Sequence, residues 1–291
     1  MNEYIVSAEQ EGMRLDVFLT EQMEGSRSYI QSLIKGGHVI VGGKVGKANL
    51  RLTPNMVIQV EIPEPESVEV KPEDIPLDVL YEDHDIIIVN KARGMVVHPA
   101  VGNYSGTLVN ALLFHCKDLS GINGEIRPGI VHRLDKDTSG ILMFAKNEGI
   151  KNKWQNNWNK IVYKRGYLAI IEGKLNKKSG TIKNYLDESK TQMVYITNNK
   201  KGKLAITNYQ VLKETRYNSL VEIFLDTGRK NQIRVHMQSL GHSIVGDKKY
   251  GATSNPIRRL GLHAHAFGFV HPKTKKKYEF KTDCPKEFYG R

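Results

Sequence analysis

Gly129-Ile130-Val131-His132-Arg133-Leu134-Asp135-Lys136-Asp137-Thr138-Ser139-Gly140 runs straight into the apolar stretch Ile141-Leu142-Met143-Phe144-Ala145. Polar and charged groups are crowded here between two apolar runs, with glycine at both ends. A loop rooted in a buried strand is where a scaffold displays reactive side chains. Taken alone, Asp-Lys-Asp would be an exposed turn of solvated ions, and three chemistries compete with that plain reading. In an extended chain Asp135 and Asp137 point to the same side and could share a metal ion, with His132 as a further donor. Alternatively, Asp135 could be the nucleophile and Asp137 the acid of a metal-dependent phosphohydrolase. Such sites usually follow a long apolar strand, whereas only Ile130-Val131 precedes this one. The third possibility is a single ionised aspartate acting as a nucleophile without metal, held charged by nearby cations.

Outward from this loop, Ile86-Ile87-Ile88-Val89, Met95-Val96-Val97, Tyr167-Leu168-Ala169-Ile170-Ile171 and Leu220 to Leu225 read as strands. Leu108, Ala111, Leu112 and His115 mark one helix face, and Ile233, His236, Met237 and Leu240 another. Strands recur without an intervening helix each time. The pattern predicts an α+β fold, a mixed and largely antiparallel sheet with flanking helices, rather than a doubly wound one.

Upstream, ten carboxylates fall between Glu61 and Asp85 against the single cation Lys71, and four of the ten prolines lie in the same stretch. Proline withholds a backbone donor and favours extended chain, so residues 63–77 read as an acidic linker. It separates a unit at 1–62 from a larger one at 78–291. In the first, Leu15, Phe18 and Leu19 keep helical spacing, as do Ile30, Leu33 and Ile34, with Ser26 or Ser28 as a cap. Val39-Ile40-Val41 and Gly42-Gly43 begin a hairpin, and Val57 to Ile62 supply a further strand.

The whole chain has 291 residues, 43 Lys and Arg against 31 Asp and Glu, and a formal charge of +12. Such a surplus of cation makes a polyanion, nucleic acid first, the expected partner. No run approaches the roughly 18 apolar residues of a membrane span. The start of the chain lacks the basic-then-apolar pattern of a secretion signal. Cys116 and Cys284 are too few for a disulfide framework or a Cys-rich zinc site. These features lead us to expect a cytoplasmic protein, monomeric by default, with no membrane partner.

His132-Arg133-Leu134-Asp135-Lys136-Asp137-Thr138-Ser139-Gly140 resembles the signature of the RluA/RluD-type pseudouridine synthases, which isomerise uridine in structured RNA. Asn90-Lys91-Ala92-Arg93-Gly94, ending in His98-Pro99, resembles a second family element, with Ala92 in place of the usual proline. Gly106 to Leu112, Tyr167-x-Ala169, Thr227-Gly228-Arg229-Lys230-Asn231-Gln232-Ile233-Arg234-x-His236, Gly246-Asp247-x-x-Tyr250-Gly251 and Leu262-His263-Ala264 follow in family order. The matches cover most of residues 78 to 280. Asn231, where histidine is common, and Gly166 depart from the pattern. Arg14-Leu15-Asp16, Ser26-Arg27 and Gly37-x-Val39-x-Val41-x-Gly43 resemble an S4 RNA-binding module, with Gly42 where asparagine is frequent.

The resemblance implies Asp135 as nucleophile, Arg229 as its counter-charge, and Tyr167 as a ring against the uracil whose hydroxyl assists proton removal. It places Arg133, His132, Asn90, Lys91, Gln232 and Arg234 around the substrate, with His132, Asp137 and Thr138 supporting the loop. Arg14, Ser26, Arg27, Lys35 and Lys47 become RNA contacts of the S4-like unit, and lysines from Lys146 to Lys203 further candidates. The reaction transfers no electrons and loses no atoms, so no cofactor and no metal are expected. The implied substrate is RNA: large-subunit ribosomal RNA before transfer RNA. A metal-dependent phosphohydrolase and a non-catalytic RNA-binding protein remain the competing functions.

Overall fold

The computed structural model describes residues 2–23, 27–62, 70–99, 103–116 and 129–289. The chain divides into two compact units, Met1–Ser67 and Val68–Arg291, a boundary within the expected linker. The second half of that stretch belongs to the larger unit: Asn110 donates to the Lys71 carbonyl, and Glu73 N–H donates to that of Asn110. Among the described residues, no helix is long and apolar enough to cross a membrane.

The smaller unit packs α1 (Leu15–Gln22) and α2 (Arg27–Lys35) on a sheet of β1 (Asn2–Ile5), β2 (Val39–Val41), β3 (Lys44–Val45) and β4 (Val57–Val60). Its strand order is β1-β4-β2-β3. Leu15, Phe18 and Leu19 of α1 meet Ile30, Leu33 and Ile34 of α2 over Val39, Ile58 and Val60. The strand β1 has no counterpart in the sequence reading. It is an edge strand whose side chains are mostly exposed, so it carries no apolar alternation to detect.

The larger unit is built on a ten-stranded sheet. Its strands are β5 (Val79–Glu82), β6 (Ile86–Lys91), β7 (Ser139–Ala145), β8 (Val162–Glu172), β9 (Ser179–Glu188), β10 (Val194–Thr197), β11 (Lys203–Glu214), β12 (Asn218–Leu225), β13 (Leu262–Val270) and β14 (Lys277–Lys281). The order is β10-β9-β11-β12-β8-β13-β7-β6-β5, with β14 paired to β13. Every pairing is antiparallel except β7 with β13.

Alternation along β6 and β7 divides the core. Ile87, Val89, Leu142 and Phe144 pack beneath α3 (Leu108–His115). Their neighbours Ile86, Ile88, Ile141 and Met143 pack beneath α4 (Glu148–Ile161). Both faces of these strands are therefore dry, which is why they read as continuous apolar runs. A third helix, α5 (Gln232–Ser239), sets Ile233 and Met237 on Ala169 and Ile171 of β8 and Val221 and Ile223 of β12.

Met95-Val96-Val97 is not a strand. The Val96 and Val97 carbonyls accept from the Leu108 and Val109 amides (2.9 and 3.1 Å), taking up donors that the first turn of α3 leaves free. The helix α4 and the strands β9 and β10 lie where the sequence reading saw lysines, and β11 and β14 were not read as elements. Each alternates a few apolar side chains with exposed polar ones.

Candidate active site

The loop carrying Asp135 folds back along β7. Ile130 bridges Phe144, the Gly129 carbonyl accepts from Ala145 N–H (2.9 Å), and His132 Nε2 accepts from Met143 N–H (3.0 Å). The Thr138 amide closes a turn on the Asp135 carbonyl (3.1 Å), and Ser139 then enters β7. Gly140 makes that entry possible. Its φ is 117°, and a Cβ there would lie 2.2 Å from the Ala264 carbonyl oxygen, so β7 could not lie beside β13 with any other residue.

The loop forms one wall of an open pocket through Arg133, Leu134, Asp135 and Thr138. Tyr167 of β8, Leu262 of β13, Leu225, Arg229, and Asn231 to Arg234 at the start of α5 form the rest. Of the substrate-side residues expected from sequence, Asp135, Tyr167, Arg229, Arg133, Gln232 and Arg234 meet here.

The cation at Asp135 is Arg234 and not Arg229. Arg234 Nη1 donates to Asp135 Oδ2 at 3.0 Å. Its Nε and Nη2 donate to both oxygens of buried Asp247 (2.6 and 2.7 Å), and Nη1 also reaches Asn231 Oδ1 (3.2 Å). Burial works against the guanidinium's charge, but the bonds to Asp247 and Asp135 outweigh it and raise its pKa above the usual arginine value. Arg229 lines the pocket with its Nε committed to the Leu204 carbonyl (2.9 Å). The reason is geometric. Arg229 precedes α5 on a turn whose amide is held by Gln232 Oε1 (3.0 Å), whereas Arg234 lies one helical turn beyond Asn231 on α5 itself.

Asn231, one of the departures from the family pattern, is left-handed (φ 52°) and joins the Tyr250 hydroxyl (2.9 Å) to Arg234. Sequence reasoning passed over Asp247 as a site residue. The signal available was its place in Gly246-Asp247, quoted only as a motif.

Three expected substrate contacts do not line the pocket. His132 is turned into the sheet, stacked on Phe267 (centroids 5.2 Å apart) and beside Trp158. Burial, then the nearby Arg165 charge, pushes its pKa down to about 3, so it stays neutral and can accept from Met143. The amide of Asn90 donates to Asp78 (2.9 Å). Lys91 is fully buried, and its ammonium donates to the carbonyls of Ala92, Met95 and Lys136 (2.8, 2.9 and 3.1 Å). It pins the peptide next to Asp135, which the Gly94 amide also holds (2.9 Å). Burial lowers the Lys91 pKa to about 8, against the pull of Asp137 and Asp135.

Burial pushes the Tyr167 hydroxyl up to about 12, with Arg165 opposing the rise and Asp135 adding to it. The phenol is therefore neutral at physiological pH. Before it, Gly166 answers a close approach: a Cβ would lie 2.9 Å from that of Ala266 and 3.2 Å from the Phe224 ring. Asp137 is exposed. The one group of three metal-capable side chains among the described residues is Glu82, His115 and Cys116, which includes neither loop aspartate.

In the smaller unit, Arg14 is half-exposed and forked onto buried Asp16 (2.9 and 3.0 Å), while Lys35 and Lys47 are exposed. Ser26 and the side chain of Arg27 lie outside the described residues.

The model of the RNA pseudouridylate synthase family matches residues 85–239, and that of the S4 domain matches residues 13–58. A Bacillus subtilis relative, an uncharacterised RNA pseudouridine synthase, is 43% identical over 291 residues, covering 99% of this chain and 96% of its own. The chain belongs to the RNA pseudouridine synthases. A Zymomonas mobilis relative, ribosomal large subunit pseudouridine synthase D, is 39% identical over 297 residues, covering 97% of this chain and 93% of its own. Among solved structures, human RNA pseudouridylate synthase domain containing 1 is similar, with a TM-score of 0.57 and 26% identity over 76% of this chain and 86% of that one. This pseudouridine synthase thus isomerises uridine in RNA, with an S4 domain at its N-terminus.

Proposed function

We propose that the protein converts a uridine of large-subunit ribosomal RNA to pseudouridine, with Asp135 as the nucleophile and without metal or cofactor. The observation that carries this reading is the Arg234–Asp135 pair facing Tyr167 across one pocket. Arg234 engages Oδ2, so Oδ1 is left to react. A carboxylate oxygen bonds to ribose C1′ as the bond to uracil N1 breaks, and the base leaves with the electron pair. Held against Tyr167, the base turns. C5 then bonds to C1′ as the bond from C1′ to the carboxylate breaks, the C5 proton is given up, and N1, which left as an anion, takes one up. Atoms and electrons are conserved throughout. With its pKa at about 12, Tyr167 serves as a wall and a neutral hydrogen-bond donor; proton removal from C5 needs an acceptor beyond its hydroxyl.

The ribosomal target rests on relatives named as large-subunit synthases and on the S4 domain. A base inside a stem must leave its stack, at a cost of a few kcal/mol. The surplus of cation makes phosphate contacts the natural source of that energy. The test is to map pseudouridines in ribosomal and transfer RNA from cells with and without the gene, then assay the purified protein. Asp135→Asn should lose all isomerisation and keep RNA binding, and the unaltered protein should stay active in excess EDTA. Full activity of the variant, or loss of activity on chelation, would sink the assignment.

A further inference from the structure

Arg165 precedes Tyr167 by two residues on β8, so both side chains leave the same face of the strand. It is half-buried. A Cβ placed on Gly228 would lie 2.8 Å from Arg165 Nη1, so the guanidinium rests against the turn that carries Arg229 into the pocket. It is close enough to Tyr167 to oppose the rise of that hydroxyl's pKa, and to His132 to help keep the imidazole neutral.

Arg165 stands behind the lining residues Tyr167 and Arg229, and two of the arginines that do line the pocket are committed within the protein. Arg234 is bound to Asp135, Asp247 and Asn231, and Arg229 Nε to the Leu204 carbonyl. Among the described residues Arg165 has no hydrogen-bond acceptor and no carboxylate within ion-pair distance. Asp226, a carboxylate whose charge favours the guanidinium, accepts from Asn208 (3.2 Å). Burial disfavours the Arg165 charge and lowers its pKa. A guanidinium carries five donors in a fixed fork, and withdrawing them from water without an acceptor is unfavourable. The arrangement suits an anion that arrives with the substrate.

We propose that Arg165 clamps a phosphate flanking the target uridine, binding the nucleotide from the Tyr167 side while Asp135 faces its sugar. The clamp rests on the isomerase reading above. A phosphodiester is the group of RNA that both neutralises a guanidinium and offers two oxygens to its fork. A nucleotide with its ribose at Asp135 and its base at Tyr167 brings its own phosphates to this rim of the pocket.

The test uses the full-length protein and the RNA fragment in which the modification maps, made with a methylphosphonate at the 5′ or the 3′ phosphate of the target uridine. That replacement removes the charge and keeps the shape. On unmodified RNA, Arg165→Gln should slow single-turnover conversion at sub-saturating protein by roughly 10- to 100-fold, the range of one charge-assisted contact. Arg165→Lys should recover part of the loss. One of the two methylphosphonates should slow the wild type comparably, yet slow Arg165→Gln by less than about twofold, because the partner is already gone. If Arg165→Gln is as fast as wild type, or both methylphosphonates slow it as much as they slow wild type, there is no clamp. A wild-type protein that forms no pseudouridine in unmodified RNA overturns the isomerase reading, and the clamp with it.

Discussion

The smaller unit buries one charged side chain among its described residues, Asp16, and otherwise closes on aliphatic and aromatic groups. The larger unit buries Lys91, Asn110, Thr138, Ser139, Gln232, His236, Asp247, Arg259 and His263 as well as its apolar cores. Many of these polar groups hold the backbone or the cation next to Asp135. Ser139 hydrogen-bonds His263 (2.8 Å) and Arg259 (2.6 Å) where β7 begins, and Gln232 bonds the turn ahead of α5. A buried polar group contributes little net stability even when satisfied, and is costly when it is not. Their concentration in one unit marks where the fold specifies atomic positions rather than mere compaction.

The sharpest way to break that contrast is at Arg234. Arg234→Gln removes the cation from Asp135 and leaves buried Asp247 facing no guanidinium. Conversion at saturating RNA should fall by roughly 100-fold or more, the order expected for loss of a preorganised charged donor. Binding of RNA should change little. Arg229→Gln should slow conversion less, since Arg229 does not touch Asp135. Should the two variants rank the other way in single-turnover assays, the assignment of the counter-charge to Arg234 fails.

That ranking also measures what could be read before folding. The loop at Asp135, the strands at Ile86, Ile141, Tyr167 and Leu220, and the helices at Leu108 and Ile233 were legible because long apolar runs and helical spacing are local properties. The partner of Asp135 was not. Arg229 and Arg234 lie five residues apart in one motif, and only the left-handed turn at Asn231 and the distant Asp247 decide which reaches the loop. His132 and Lys91 misled for a related reason. Their chemistry suits a substrate, but folding turns both inward to backbone groups.

Lys91→Met sharpens the comparison by a smaller amount. Three carbonyls lose a donor, and the peptide after Asp135 keeps only the Gly94 amide. We expect a loss of about 1–3 kcal/mol in stability, the cost of leaving buried polar groups unpaired. Conversion should slow by about tenfold as the loop loosens. The pH dependence has a definite sign. The folded chain releases the Lys91 proton near pH 8, while an unfolded lysine holds its own to about 10.4. Between those values the unfolded state binds more protons, so this term adds stability as pH rises. The wild type should therefore gain stability relative to Lys91→Met across that window in denaturant titrations; an unchanging gap would remove the buried ammonium from the account.

The smallest effect on the reaction belongs to Asp16, where the contrast can be tested from the other side. Asp16 holds Arg14 in a fork and accepts from Gln31 at 3.3 Å, so Asp16→Asn weakens contacts that organise α1 and α2. Both tryptophans, Trp154 and Trp158, lie in α4 of the larger unit, so their fluorescence follows that unit alone. Hydrogen exchange at the amides of α1 and α2 follows the other. Asp16→Asn should speed that exchange by an amount corresponding to about 1–3 kcal/mol, while the fluorescence transition stays in place. Conversion at saturating RNA should stay within about twofold of wild type, because Asp16 is not among the residues that line the pocket of Asp135. A large fall there would mean that order in the N-terminal unit reaches the chemistry, and that buried polarity is not a guide to where the reaction is controlled.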